Sequence, residues 1–187
     1  MNQYLSRVVD RAFDSALSST GAVLVEGPRA CGKTLTARQR CASEVLLDLD
    51  PTALAAAQID PSFLLHGPRP RLIDEWQLVP EIWNHVRRAV DDASAAGQFI
   101  LTGSALPNDA IARHPDSGRF STVRMRPMSL FEARVSSGLF SFTSVLNGER
   151  QRSARSEATL DDCLAWITTG GWPDPVTERG RRSDPAG

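Results

Sequence analysis

The stretch Gly27-Pro28-Arg29-Ala30-Cys31-Gly32-Lys33-Thr34 decides the fold that this chain is expected to adopt. It follows the apolar run 22–25, which reads as a strand, and precedes a helical pattern that runs to about Ser43. Such a loop directs backbone N–H groups at one point beside the positive end of a helix dipole, which suits a diphosphate. A strand-helix turn that binds nothing is disfavoured, because the flanking strand and helix are the context that the GxxxxGKT motif requires.

Individual residues of this Walker A-type pattern have separate predicted tasks. Gly27 and Gly32 allow the backbone to turn and to approach phosphate where a Cβ would clash. Lys33 can reach the β and γ phosphates, and the Thr34 hydroxyl can ligate Mg²⁺. Of the 21 lysine and arginine residues only Lys33 is a lysine, and a planar guanidinium would fit a closed phosphate loop poorly. We predict a nucleotide site that spans the whole motif and extends to Leu35.

A second informative stretch, Arg71-Leu72-Ile73-Asp74-Glu75-Trp76, is a short apolar strand that ends in two acids, as in a Walker B motif. In P-loop proteins an acid at the end of a neighbouring strand holds Mg²⁺, and a following glutamate polarises the attacking water. Asp74 is assigned the first role and Glu75 the catalytic second role. Taken alone, the pattern is also typical of a solvated strand end.

Two further regions contribute candidates. The strand Gln98 to Ser104 can lie between the first strand and the acidic one, so that Thr102 or Ser104 faces the γ-phosphate or the water. Ordinary strand-end turn chemistry explains these hydroxyls equally well. The segment 113–134 is rich in arginine, and Arg119, after Ser117-Gly118, is our choice for an arginine finger. A solvated or salt-bridged arginine is the alternative at each of these positions.

Composition narrows the class of protein. The 187 residues suffice for one good-sized domain with a small appendage. A net charge of −1 gives no general support for nucleic-acid binding. No apolar run approaches the roughly 18 residues of a membrane span, and the N-terminus has no signal-peptide core. Three cysteines without metal spacing point to the reducing cytoplasm.

Periodicity predicts the remaining elements. Helices are expected at Tyr4 to Leu17, Thr52 to Gln58, Val79 or Pro80 to about Ala95, from Leu130, Phe142 to Leu146 and Thr159 to Thr168. Further strands are expected at Val45 to Asp50 and Ser121 to Arg126. We divide the chain into a P-loop core with its N-terminal helix at 1–134, an extension at 135–175 and a disordered tail at 176–187.

The motifs together resemble a group of prokaryotic AAA-superfamily ATPases, whose full-length members carry a nuclease-like domain of unknown function after the ATPase domain. The matching stretches are Tyr4 to Asp10, the 27–34 loop, Leu72 to Gln77, Leu101 to Ser104, Gly118 to Phe120 and Arg126 to Leu130. The resemblance implies an α/β, three-layer P-loop NTPase fold, with a mainly parallel sheet in the order 5-1-4-3-2 flanked by helices. It also implies Lys33 and Thr34 on phosphate and Mg²⁺, Asp74 on Mg²⁺, Glu75 as base, and Ser104 or Thr102 as sensor.

Two departures from the family pattern stand out. Ala30-Cys31 occupies a place where the family often has a polar residue and a valine. The chain also stops soon after Gly170-Gly171-Trp172-Pro173, so that it looks truncated before the second domain.

The leading hypothesis is an ATP-binding domain that hydrolyses ATP with Mg²⁺. Glu75 favours it. The alternative is a nucleotide-dependent interaction module without significant turnover, or a truncated inactive fragment, and the absent second domain favours that. A GTPase is disfavoured, because no Asn-Lys-x-Asp motif is present. Nucleotide is the expected partner, and a protein partner or a homo-oligomer stays open.

Overall fold

The computed structural model describes residues 4–103, 118–149 and 158–173. Within it the chain divides into two compact units. The first, Val8–Arg126, is called the core unit here, and it ends ahead of the predicted core boundary at residue 134. The second unit combines residues 4–7 with the described residues from Pro127 onward.

A five-stranded parallel sheet forms the centre of the core unit. Its strands are β1 (Ala22–Glu26), β2 (Ser43–Leu46), β3 (Arg71–Asp74), β4 (Phe99–Thr102) and β5 (Phe120–Arg124). Their order is β2-β3-β4-β1-β5, which confirms the order 5-1-4-3-2 and the fold class. The central strands are runs of aliphatic residues because helices cover both of their faces.

The helices of the core unit form the two outer layers. They are α1 (Asp10–Ser19), α2 (Lys33–Arg38), α3 (Pro51–Ile59) and α4 (Ile82–Ala93). Alternate residues of each strand feed two apolar clusters: Leu24 packs with residues of α3 and α4, and Val23 packs with Phe13 of α1 and Ala37 of α2. On the α4 side Trp83 stacks on the Phe120 ring, with centroids 4.2 Å apart.

Several element boundaries differ from the sequence-based expectation. The first helix begins at Asp10 rather than Tyr4, because Arg7 belongs to the second unit, where its guanidinium lies 2.9 Å from the Glu132 carboxylate. Helix α2 ends at Arg38, well before Ser43, because Ser43 already starts the edge strand. No helix starts at Leu130: the described segment there forms turns, and Arg134 adopts a left-handed φ of 60°.

The second unit contains the two short helices that the sequence predicted, α5 (Phe142–Leu146) and α6 (Leu160–Thr169). Thr159 and Asp162 form a reciprocal capping box at the start of α6, which supplies acceptors to otherwise unpaired backbone N–H groups. Met128 N–H donates to Gly171 O, so the two ends of this unit pair through the backbone. Among the described helices of both units, none is long and apolar enough to cross a membrane.

Candidate nucleotide site

The loop between β1 and α2 has backbone angles that only glycine adopts without strain at two positions. Gly27 has a φ of 155° and Gly32 a φ of 99°. A Cβ added at Gly27 would lie 2.6 Å from the Met125 carbonyl oxygen and 3.0 Å from Cys31 Sγ. The two glycines of the motif are therefore required by the loop geometry itself, as the sequence predicted.

The Lys33 side chain is buried inside this loop. It is 6% exposed, and its Nζ lies 3.0 Å from the carbonyl oxygens of both Gly27 and Pro28, to which it donates. A buried ammonium needs such acceptors to offset its loss of water. The loop thus curls around a fixed positive charge at the start of α2, and an anion held by the loop would meet that charge.

Asp74 lies buried at the carboxyl end of β3, between hydroxyl groups of α2 and β4. It is 6% exposed, and Thr34 Oγ1 lies 3.1 Å from its Oδ1 and 3.0 Å from its Oδ2. Thr102, directly opposite in register on β4, donates its hydroxyl to Oδ1. Burial raises the pKa of Asp74, and the two hydroxyl bonds oppose this rise only in part.

The donors around Asp74 suit a hard divalent cation. The negative charges of Glu75 and Asp48 raise the pKa of Asp74 further, which shows that acidic groups collect at this edge of the sheet. Carboxylate and hydroxyl oxygens are the ligand types that Mg²⁺ takes from proteins. Thr34 and Asp74 therefore fit the ion that the motif implies.

Glu75 follows Asp74 at a sharp change of direction. Its backbone is left-handed, with a φ of 54°, and it precedes the 3₁₀ turn Trp76–Leu78. Its half-buried side chain accepts a hydrogen bond at Oε2 from Gln77 Nε2. The other amide atom of Gln77, Oε1, is buried without a hydrogen-bond partner in the described part of the chain.

Comparison with known proteins identifies the family. Residues 19–133 match a family model described as an AAA domain (AAA_14). The chain belongs to this AAA domain family. The matched range holds the entire 27–34 loop together with Asp74 and Glu75, and membership indicates a nucleotide-binding domain of the P-loop ATPase type.

Two curated mycobacterial relatives are similar to the AAA domain. They are "Uncharacterized protein Mb2031c" of Mycobacterium bovis and "Uncharacterized protein Rv2008c" of Mycobacterium tuberculosis. Each is 30% identical over 119 residues, which is 62% of this chain and 27% of the relative. The similarity thus spans about a quarter of the length of each relative.

The AAA domain brings some predicted residues together and separates others. Lys33, Thr34, Asp74 and Glu75 all lie at or just beyond the carboxyl ends of β1 and β3, the edge where parallel α/β sheets bind ligands. Thr102 joins them at the end of β4, but its hydroxyl is committed to Asp74. Ser104, whose hydroxyl was also predicted to face the γ-phosphate or the water, lies outside the described residues.

Arg119 lies at the amino ends of the strands, whereas the 27–34 loop lies at their carboxyl ends. It immediately precedes β5, its carbonyl accepts from Ala22 N–H at the start of β1, and its guanidinium pairs with Asp91 of α4. Strands of this length span about 3.3 Å per residue, so a whole strand separates Arg119 from the 27–34 loop of its own chain. As an arginine finger it could act only on nucleotide held by another chain, and that role stays a prediction.

The structure places the two residues that depart from the family pattern, Ala30 and Cys31, in different environments. Cys31 is fully buried in the apolar cluster on the α1 and α2 face, where a small apolar side chain is what the packing requires. Ala30 is exposed, with a left-handed φ of 61°, and Pro28, Arg29 and Leu35 are exposed beside it. These four residues form the solvent-exposed part of the predicted binding stretch.

Sequence reasoning missed the contact of Gln77 with Glu75 and the pairing of Thr102 with Asp74. The signal for Gln77 was its position two residues after the predicted base, within the motif that carried the resemblance. The signal for Thr102 was weaker. Its position opposite Asp74 depends on the register of β3 and β4, and this register can be considered only once the two strands are known to be neighbours.

Proposed function

We propose that the AAA domain binds ATP in the 27–34 loop and hydrolyses it with Mg²⁺. One observation carries the proposal: Thr34 and Asp74, 40 residues apart in sequence, come within hydrogen-bond distance beside the buried Lys33 ammonium. A structural turn has no need to place a strand-end carboxylate, a helix-start hydroxyl and a buried ammonium at one edge of a sheet. Phosphoryl transfer to water needs all three.

Each residue has a role in the proposed reaction. The loop N–H groups and Lys33 bind the phosphates, which fixes the γ-phosphate and stabilises the charge that develops on its oxygens. Thr34 and Asp74 would hold Mg²⁺, which when bound supplies further charge neutralisation at the phosphates. Glu75 orients a water molecule toward the γ-phosphate and accepts its proton.

The test is ATP binding and phosphate release by the purified chain in the presence of Mg²⁺. We expect Lys33→Ala to lose nucleotide binding. We expect Glu75→Gln to bind ATP as the wild type does, while phosphate release falls by roughly 10² to 10⁴, the usual contribution of a general base. Glu81→Gln, the same substitution at an exposed residue just ahead of α4, is the matched control and should not change the rate. A wild type that binds ATP without turning it over would refute hydrolysis.

A nucleotide-dependent interaction module is the second candidate, and the second unit provides the observation that favours it. Apolar side chains on both of its helices are exposed, with Phe142 of α5 at 78% and Ile167 of α6 at 79%. Apolar groups collected on short helices are typical of interaction surfaces. ATP binding with equal phosphate release by wild type and Glu75→Gln would favour this candidate over the enzyme.

A further inference from the structure

We infer that Gln77 is a positioning residue for ATP hydrolysis: its amide fixes the Glu75 carboxylate in the orientation from which it acts on water. The inference rests on the proposed function and adds to it a residue that touches neither nucleotide nor metal. Three features of the structure carry it: the turn that holds Gln77, the bonding of its amide, and the space that Gly103 leaves for that amide.

The turn that carries Gln77 is anchored on both sides. Trp76 is 1% exposed and Val79 is 3% exposed, and both belong to the apolar cluster beneath α4. Leu78 N–H donates to Glu75 O at 3.0 Å, and Val79 N–H donates to Trp76 O at 3.0 Å, which closes the 3₁₀ turn. The left-handed backbone of Glu75 reverses the chain, so that the side chain of Gln77 returns to the side chain of Glu75.

The amide of Gln77 makes one hydrogen bond among the described residues, and that bond goes to the predicted base. Nε2 donates to Glu75 Oε2, while Oε1 is buried and finds no partner within residues 4–103, 118–149 and 158–173. A carboxylate accepts only, so the NH₂ end of the amide has to face it. Leaving Oε1 buried and unpaired is unfavourable, and a residue whose role was only structural would be better replaced by an apolar one.

Gly103 makes the room for this amide at the end of β4. A Cβ added there would overlap Gln77 Oε1 and would lie 3.1 Å from Trp76 Cδ1 and Nε1. Gly103 directly follows Thr102, the residue whose hydroxyl donates to Asp74. Asp74, the last residue of β3, is thus held by a bond from Thr102, and Glu75, directly after the strand, is held by the amide for which Gly103 leaves room.

The consequence for catalysis is orientational. A glutamate in a turn can rotate about three side-chain bonds, and a bond to Oε2 selects one arrangement and leaves Oε1 to accept a proton from water. Preorganising the base in this way raises the rate of the chemical step and adds nothing to nucleotide affinity. Loss of Gln77 should therefore lower kcat and leave ATP binding unchanged.

The first experiment compares Gln77→Met with Gln58→Met in steady-state phosphate release and in nucleotide binding. Methionine keeps the unbranched shape and removes the amide, and Gln58 is an exposed glutamine on α3. We expect Gln77→Met to lower kcat by roughly tenfold to hundredfold, below the loss on removing the base itself, with Kd for ATP unchanged and Tm no lower than that of the wild type. Gln58→Met should match the wild type. Wild-type kcat in Gln77→Met, or a loss of affinity as large as the loss of rate, would refute the inference.

A second perturbation reaches the same amide from the other side. Gly103→Ala should displace the Gln77 amide, because the obstructing atom is the end of a flexible side chain, and should lower kcat to a similar degree. In a Gln77→Ala background the overlap with the amide is gone and only the 3.1 Å approach to the Trp76 ring remains, so Gly103→Ala should lower kcat much less than it does in the wild type. Independent, multiplying losses in the double variant would mean that Gly103 acts through the backbone and would count against the inference.

A double-mutant cycle separates this inference from the proposed function. In the Glu75→Gln background, Gln77→Met should leave the residual rate unchanged, because the group that Gln77 positions has already been replaced. If the wild type fails to hydrolyse ATP, the proposed function and this inference fall together. If the wild type hydrolyses ATP and Glu75→Gln does not, an unaffected Gln77→Met refutes the inference alone.

Discussion

Replacing Asp74 by asparagine should make the protein more stable and should weaken the Mg-ATP binding that we propose. The carboxylate is 6% exposed and accepts from Thr34 and Thr102. Asparagine has nearly the same shape, its Oδ1 can accept from Thr102, and its NH₂ can donate to the Thr34 hydroxyl, which is able to accept. The substitution therefore removes a buried charge while keeping one hydrogen bond with each of the two hydroxyls.

The magnitude follows from two opposing contributions to the free energy of unfolding. Burying an ionised carboxylate costs several kcal/mol. Hydrogen bonds to a charged acceptor return about 1.5–3 kcal/mol each, against about 0.5–1.5 kcal/mol for neutral ones. The pKa of Asp74 is raised with burial as the largest cause, so desolvation outweighs the bonds. We expect Asp74→Asn to gain about 1 kcal/mol, and Asp74→Ala to lose about 1–3 kcal/mol because it leaves the Thr102 hydroxyl unpaired.

Urea unfolding with EDTA, and again with Mg-ATP, measures both effects. With a slope of about 1–3 kcal/mol per molar urea, the asparagine variant should unfold at a midpoint higher by roughly 0.5 M in EDTA. Mg-ATP at a hundred times its Kd should stabilise the wild type by about 2.7 kcal/mol and the variant by far less. Asp92→Asn, at an exposed position of α4, is the control. An asparagine variant that is less stable than wild type in EDTA would refute the reasoning.

Three further predictions concern stability and pH. Arg40→Ala should lower the free energy of unfolding by about 1–2 kcal/mol, because the guanidinium pairs with two carboxylates of α1 and lies over an aromatic ring. Arg38→Ala breaks one exposed ion pair and should lower it by less than about 1 kcal/mol. Equal losses in urea unfolding would contradict this prediction. Trp83→Ala should cost about 3–5 kcal/mol, since the ring is 3% exposed and stacks on β5; a midpoint close to wild type would show that the site collapses around the change. Hydrogen bonds from Ser62 lower the pKa of Asp60, so the contribution of Asp60 to stability is present above the unfolded pKa of about 3.9 and is lost as the pH falls below it. The stability of Asp60→Ala should therefore depend less on pH between about 4 and 2 than that of the wild type. The same pH dependence in both proteins would contradict this prediction.

The fold was largely readable from local patterns. Alternation of strand and helix around the 27–34 loop, and apolar runs at 22–25 and 72–73, predict an α/β fold. The resemblance to the ATPase family implies the mainly parallel sheet and its strand order, and the structure confirms both. The boundaries were less predictable, because the competing forces are not local. Tyr4 to Val9 has the apolar period of a helix, yet the pairing of Arg7 with Glu132 far along the chain holds that segment in another conformation.

In the candidate site, too, the motifs predict some residues and leave others to the tertiary structure. Lys33, Thr34 and Asp74 could be named from the motifs because phosphate and Mg²⁺ dictate both residue type and spacing. The separation of Arg119 from the loop could also have been predicted, because in the parallel sheet that the resemblance implies a residue just before the last strand lies at the amino ends of the strands. The amide of Gln77 and the space at Gly103 were invisible, since they meet only when β4 is inserted beside β3.

The sequence by itself determined the fold class and the chemical types of residue at the loop and at the two acids. Those features depend on short-range regularities: hydrophobic period, glycine at positive φ and the order of charged residues along the chain. Only the tertiary structure decided which hydroxyls hold Asp74 and which amide holds Glu75. Strand order and register set these contacts, and they arise from burial of both sheet faces against helices that are distant in sequence.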